Sequence, residues 1–249
     1  MDEATWAAFE ELYGALPRQG PGDEEATLAA LALVPNVRGV ASVLDAGSGS
    51  GASTLVLAKA LPDAQFVAVD VSQPLLERLE RAAEELGALA RIQTRCGSML
   101  EPSEDGLDLV WCEGAIYNVG IEAALDAWAG SLGPGAAVVF SEACWFVEAA
   151  GRDPEAVAFW KDAYPQMDDE KGVRARVESL GYQVVGARRL PRLVWMDSYY
   201  DPLARRCDAL RPGAKPAMLQ VIAMAEREIE MFRRFGEQYG YTYFVVTRR

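Results

Sequence analysis

From residue 40 onward the chain alternates short apolar runs with segments whose apolar positions recur every three to four residues. That alternation is the signal for repeated βα units and a parallel sheet. It predicts strands over 40–46, 65–70, 91–96, 107–112 and 136–143, with helices over 52–60, 73–86 and 121–132. The fifth strand is entered through Gly133-Pro134-Gly135, read as a turn from its composition. Helical spacing also covers 154–164 and 170–180, and Gly181 ends the second of these before a sixth strand over 182–190.

Two stretches stand outside this rhythm. Residues 3–16 and 23–34 carry helical spacing and form an N-terminal lead-in, joined by the turn Arg18-Gln19-Gly20-Pro21-Gly22. Residues 191–240 separate strand six from a last strand over 241–247, and within them 217–239 is a strong helical run. A connection of that length is usually functional, so it is predicted to be a helical lid. No internal repeat and no shift in composition marks a second domain.

Composition narrows the function classes. No run of about 18 apolar residues exists, and Asp2, Glu3 and Glu10 stand where a secretory signal would carry basic charge. Export and membrane spanning are not expected, and the chain reads as cytoplasmic. Cys96, Cys112, Cys144 and Cys207 show no close pairing; the first three fall in strand-like runs and read as buried, reduced thiols. The net charge of −13 disfavours nucleic-acid partners, since such binding depends on basic residues meeting phosphates. There is no histidine, which removes the commonest general base and transition-metal ligand. The acidic stretches 101–108 and 168–170 lack the spacing of a calcium loop and read as solvated loops, so no metal site is expected.

The strongest local signal is Asp45-Ala46-Gly47-Ser48-Gly49-Ser50-Gly51, a strand ending in an acid, then alternate glycines, then a helix. Glycines without side chains let backbone approach a ligand, and a helix N-terminus favours a carboxylate or phosphate. Asp70 ends the second strand, where a carboxylate can accept both hydroxyls of a ribose. Taken this far, the pair suits either a nicotinamide dinucleotide or S-adenosylmethionine. A dinucleotide turn spaces its glycines Gly-x-Gly-x-x-Gly. Here they run Gly47, Gly49, Gly51, with Asp45 two residues before the first.

On these residues the chain resembles the class I S-adenosylmethionine-dependent methyltransferases. The run 107–118, the turn Leu132-Gly133-Pro134-Gly135-Ala136 and the terminal strand agree with that likeness. Arg18-Gln19-Gly20-Pro21-Gly22, Glu113-Gly114-Ala115-Ile116-Tyr117-Asn118 and Ser141-Glu142 resemble more closely a bacterial subgroup described as ubiquinone/menaquinone-biosynthesis-like. The resemblance implies a Rossmann-like α/β fold of seven strands, mostly parallel, the last inserted antiparallel between strands five and six. It implies a single domain over 1–249, with a lead-in over 1–39, a cofactor-binding core over 40–190, a lid over 191–240 and a last strand over 241–249. It implies S-adenosyl-L-methionine as cofactor, held by Gln19, Asp45, Gly47, Ser48, Gly49, Asp70, Val71, Gly97, Ser98, Met99, Glu113 and Gly114. Many relatives carry an Asp where Ser98 stands.

Ligands of open α/β sheets sit beyond the carboxyl ends of the strands. That edge gathers Glu113, Tyr117 and Asn118 after strand four, and Glu142, Cys144, Trp145 and Phe146 at and after strand five. Glu142 reads as the general base or as a capping or salt-bridging carboxylate, and Tyr117 as lining the methyl pocket or as packing. Trp195, Tyr199 and Tyr200 read as a substrate-facing lid or as core, and as a lid, with Tyr117 and Trp145, they make an aromatic lining suited to a planar acceptor or an amine. The expected activity is methylation of a small molecule by a monomer or homodimer. Other S-adenosylmethionine chemistry, a non-catalytic cofactor-binding protein and a nicotinamide dehydrogenase remain as alternatives.

Overall fold

The apolar runs pair into one sheet with the order β3-β2-β1-β4-β5-β8-β7. Its strands are β1 (Ser42–Ala46), β2 (Gln65–Asp70), β3 (Ile92–Cys96), β4 (Leu107–Cys112), β5 (Leu132–Trp145), β7 (Tyr182–Arg189) and β8 (Tyr239–Arg248). A further two-residue strand, β6 (Asp168–Asp169), pairs with the end of β5. The structure, a computed structural model, describes residues 2–249. Neighbours from β3 through β5 run parallel, while β8 lies antiparallel between β5 and β7. This is the Rossmann-like topology the resemblance implied, with one strand more than expected.

Helices cover both faces: α1 (Glu3–Gly14), α2 (Glu24–Leu31), α3 (Ala52–Ala60), α4 (Gln73–Glu85), α5 (Ile121–Trp128), α6 (Pro154–Ala163) and α7 (Glu170–Ser179). After β7 come α8 (Arg192–Trp195), one π-helical turn over Met196–Tyr200, α9 (Asp201–Leu210) and α10 (Pro216–Phe235). Alternation along β5 sorts the two cores. Phe140 and Cys144 pack with Trp128, Val173 and Val177 beside α5 and α7. Ala143 and Trp145 pack on the other side, with residues of α1, α9 and α10.

Four sequence expectations change. Gly133-Pro134-Gly135 is not a turn before the strand but a bulge within β5: the ladder steps from Leu107↔Leu132 to Leu109↔Ala137. The acidic run 168–170 is not a solvated loop, because Asp168 and Asp169 pair with Cys144 and Trp145. Asp169 also caps α7, accepting from the backbone N–H groups of Lys171 and Gly172 at 3.0 and 2.9 Å. Cys96 is exposed, since β3 is the edge strand, whereas Cys112, Cys144 and Cys207 are buried; all four are free thiols. The predicted lid contains a helix, α9, that the spacing did not separate from its surroundings, and its aromatic residues point into the core.

Candidate active site

The cofactor turn is built by close packing. β1 delivers Asp45 into the interior with no exposed surface. Its Oδ2 accepts from the Thr54 hydroxyl of α3 at 2.5 Å, while Oδ1 is buried with no partner. Burial raises its pKa to about 7; the Thr54 hydrogen bond opposes this, and the charges of Glu113 and Asp70 add to it. Gly47 and Gly51 have φ of +80° and +82°, a region costly for side chains. A Cβ on Gly47 would stand 2.5 Å from the Ala115 Cβ, and one on Gly51 would stand 2.1 Å from Leu79 of α4. The glycines therefore admit neighbouring elements as much as a ligand.

Gln19 of the N-terminal turn closes over this loop, its Oε1 accepting from the Ser50 N–H at 3.0 Å and the Ser50 hydroxyl at 2.9 Å. Asp70 accepts from the N–H of Gly49 at 2.8 Å and of Ser72 at 2.9 Å, one on each oxygen. Each oxygen keeps a lone pair for a further donor. The Ser48 hydroxyl is buried and unpartnered. Val71 is 70% exposed, an apolar surface beside Asp70. Beyond β3, the Gly97 N–H donates to the Asp70 carbonyl at 3.0 Å, and Ser98 Oγ accepts from the Leu100 N–H at 3.1 Å, so Ser98 shapes its own turn. The Met99 carbonyl accepts from the Trp128 ring N–H at 2.7 Å, and the Met99 side chain faces Gly47.

Glu113 is the most heavily used carboxylate in the molecule's upper edge. It pairs with Arg18 and accepts from the Thr27 hydroxyl at 3.0 Å, the Trp111 ring N–H at 3.0 Å and the Tyr243 hydroxyl at 2.9 Å. It thereby ties the N-terminal lead-in to β4 and β8. Gly114 follows, its N–H donating to Ser141 Oγ at 2.7 Å and its backbone lying against Gly20. Arg18 belongs to the turn Arg18-Gln19-Gly20-Pro21-Gly22 that the resemblance rests on, whereas Thr27 and Tyr243 carry no signal in the sequence, since their common partner comes from a distant segment.

On the acceptor side, Glu142 is 1% exposed and neither carboxylate oxygen has a hydrogen-bond partner. Burial raises its pKa to about 7, with the Tyr164 hydroxyl and the Arg176 charge opposing. Strand alternation turns it toward the α5 and α7 face, away from Trp195, Tyr199 and Tyr200. These three are buried: Trp195 stacks on Phe232 at 4.7 Å and meets Tyr241 at 4.4 Å between ring centroids. Trp145 packs edge-on to Tyr239 at 5.7 Å. Tyr117 is 42% exposed, and its ring meets Tyr164 at 6.2 Å between centroids. Its hydroxyl is pushed upward first by burial and then by the charge of Glu228, with Glu142 adding to it. Tyr241 also feels both glutamates. Tyr164 beside Tyr117, Tyr241 against Trp195 and Glu228 under the Tyr200 hydroxyl carry no signal in the sequence, where each looks like a residue of an ordinary helix or strand.

Residues 43–135 match the family model described as a methyltransferase domain. The chain carries a methyltransferase domain. The fold extends the likeness to the whole chain. An S-adenosylmethionine-dependent methyltransferase from Geobacter sulfurreducens, solved with S-adenosyl-L-homocysteine, is 21% identical over 98% of this chain and 98% of that one, with a TM-score of 0.83. One from Thiobacillus denitrificans, in complex with the same molecule, is 25% identical over 97% and 98%, with a TM-score of 0.81. The E. coli protein YjhP is 22% identical over 97% and 99%, with a TM-score of 0.82. No curated protein matches the chain. The matched methyltransferase domain takes in Asp45, the glycine turn, Asp70, Met99 and Glu113, and stops before Glu142 and the inserted helices. Among the described residues no helix is long and apolar enough to cross a membrane.

Proposed function

We propose that the chain transfers a methyl group from S-adenosylmethionine to a small-molecule acceptor seated over the carboxyl ends of β4 and β5. The residues present suit the cofactor. The orphaned Asp45 Oδ1 and Ser48 Oγ offer buried polar atoms to its ammonium and carboxylate end, and the free lone pairs of Asp70 suit ribose hydroxyls. Val71 and Met99 supply an apolar surface for the adenine, with Gln19, Gly97, Ser98 and Gly114 shaping the walls. When bound, the cofactor supplies an electrophilic methyl group on a sulfonium.

The observation that carries the acceptor side is Glu142, fully buried and unpartnered on both oxygens. A carboxyl whose pKa lies at about 7 is poised to take a proton from a nucleophile at neutral pH. Tyr117 follows β4 two residues after Ala115, which packs against Gly47, and its ring meets Tyr164, whose hydroxyl faces Glu142. The buried tyrosines and tryptophans keep water from the reacting groups, which favours a displacement that depends on positioning. A net charge of −13 supports a small molecule over a nucleic acid as acceptor.

Incubation with S-adenosylmethionine labelled in its methyl group and a panel of small acceptors tests the reading. Equal amounts of methylated product and S-adenosylhomocysteine are expected. Any other fate of the cofactor would replace methyl transfer with different chemistry.

A further inference from the structure

Past the end of β4, three buried polar atoms stand without a hydrogen-bond partner: both carboxylate oxygens of Glu142 and the hydroxyl of Tyr164. They belong to separate segments. Glu142 lies on β5 two residues beyond Phe140, which pairs with Cys112, the last residue of β4. Tyr164 caps the C-terminus of α6, its N–H donating to the Trp160 carbonyl at 2.8 Å and its carbonyl accepting from the Met167 N–H at 3.0 Å. The chain then enters β6, where Asp168 and Asp169 pair with Cys144 and Trp145, so the turn after α6 is tied to β5 just beyond Glu142. The Tyr164 ring meets Tyr117 edge-on at 6.2 Å between centroids. Held by the turn and by that ring, the Tyr164 hydroxyl faces the Glu142 carboxyl.

The other groups around Glu142 are engaged or neutral. Arg176 of α7 is the cation that bears on it, and Arg176 already donates through Nε and Nη2 to Glu122 of α5, each at 2.7 Å. The thiols of Cys112 and Cys144 and the hydroxyls of Tyr117 and Tyr241 also feel the Glu142 charge, and burial keeps each of them protonated at neutral pH. A carboxylate withdrawn from water is costly unless a donor meets it. The Tyr164 hydroxyl, which burial likewise keeps protonated, is such a donor and is uncommitted.

We propose that Tyr164 is the positioning residue of Glu142: its hydroxyl donates to the carboxylate once that has ionised, fixes its orientation and stabilises its charged form. The inference rests on the reading of Glu142 as the group that receives the acceptor's proton. Tyr164 takes no part in the transfer itself and acts through Glu142.

The test uses the whole chain and needs no acceptor. The C=O stretch of protonated Glu142, identified by its absence in Glu142→Gln, is followed by infrared difference spectroscopy from pH 4 to pH 9. A midpoint of about 7 is expected in the unchanged chain. In Tyr164→Phe the midpoint is expected to rise by about one pH unit, a roughly tenfold tighter hold on the proton, because the charged form has lost its donor. A hydroxyl that only packs would leave the midpoint in place, so a shift of under about 0.3 units, or a fall, overturns the positioning role. A midpoint near 4.5 in the unchanged chain overturns instead the reading of Glu142 beneath it, so the two failures are distinct. If Tyr164→Phe does not fold, the unchanged chain decides: ionisation of Glu142 is expected to shift a tyrosine C–O stretch, and that shift is expected to vanish in Glu142→Gln. A tyrosine band that does not respond to the ionisation overturns the role.

Discussion

The two halves of the site treat their carboxylates in opposite ways. Around the glycine turn, Glu113 accepts from four side chains, which use its hydrogen-bonding capacity, and Asp70 is fixed by one backbone group on each oxygen while keeping a lone pair on each. Beyond the strand ends Glu142 has no partner on either oxygen, and Glu228 on α10 accepts from a single tyrosine. Satisfied carboxylates fix a shape, whereas orphaned ones are left for the ligand and for proton transfer. The cofactor half is thus a preformed cradle and the acceptor half a set of unmet demands. Removing a carboxylate should accordingly weaken the fold in the first half and spare or strengthen it in the second.

The largest effect is expected for Glu113→Ala. It would leave Arg18, 13% exposed, without its counter-charge and strip partners from Thr27, Trp111 and Tyr243. Breaking a buried pair of this kind costs about 4 kcal/mol, or roughly 8 to 16 °C in melting temperature for a chain of this size. Thermal unfolding followed by circular dichroism reads it directly. A loss of under about 1 kcal/mol would mean that the lead-in is held by apolar packing alone.

Glu142→Gln should do the reverse to stability while damaging turnover. The folded pKa of about 7 lies above the value of 4.5 proper to a free glutamate, so the folded state holds the proton more tightly. That contribution is whole below pH 4.5 and is lost as pH rises through 7. Above pH 7 the wild type carries an ionised buried carboxylate at a cost of about 3 kcal/mol, which the amide does not incur. The melting temperature of the variant should therefore gain on the wild type between pH 5 and pH 8. Its kcat should fall about 100-fold, and the rise of wild-type kcat/KM through pH 7 should disappear. An unchanged rate would assign Glu142 to substrate positioning alone.

The same contrast explains what was legible in the sequence. The cradle is local: strand, alternate glycines and helix are contiguous, and the predicted bounds 52–60, 65–70 and 107–112 agree with α3, β2 and β4. Antiparallel insertion of the last strand was legible only through resemblance. The chamber is non-local. Tyr241 meets Trp195, and Glu228 the Tyr200 hydroxyl, because β8 slots beside β5 and α10 folds back, and no periodicity encodes those meetings. Glu142 was found because strand five ends there, but the face it points to depended on β5 starting at Leu132 with a bulge. Trp195, Tyr199 and Tyr200 were recognised as a cluster and misjudged in placement, since an aromatic run beside prolines looks the same whether it covers a pocket or packs beneath it.

The smallest expected effect probes the one orphaned carboxylate inside the cradle. Asp45 has a pKa of about 7 through burial, and its free Oδ1 suits the ammonium group of the cofactor. A cation prefers the ionised carboxylate, so binding should release a proton and weaken as pH falls through 7. Between pH 7 and pH 6 the affinity for S-adenosylhomocysteine should drop about fivefold, close to 1 kcal/mol. The chain has no histidine, which leaves Asp45 and Glu142 as the side chains whose raised pKa values lie near this window. Calorimetry on Asp45→Asn should show a flat profile and on Glu142→Gln an unchanged one. If Glu142→Gln flattens it and Asp45→Asn does not, the proton linked to cofactor binding belongs to the acceptor half, and the boundary between cradle and chamber runs on the other side of Tyr117.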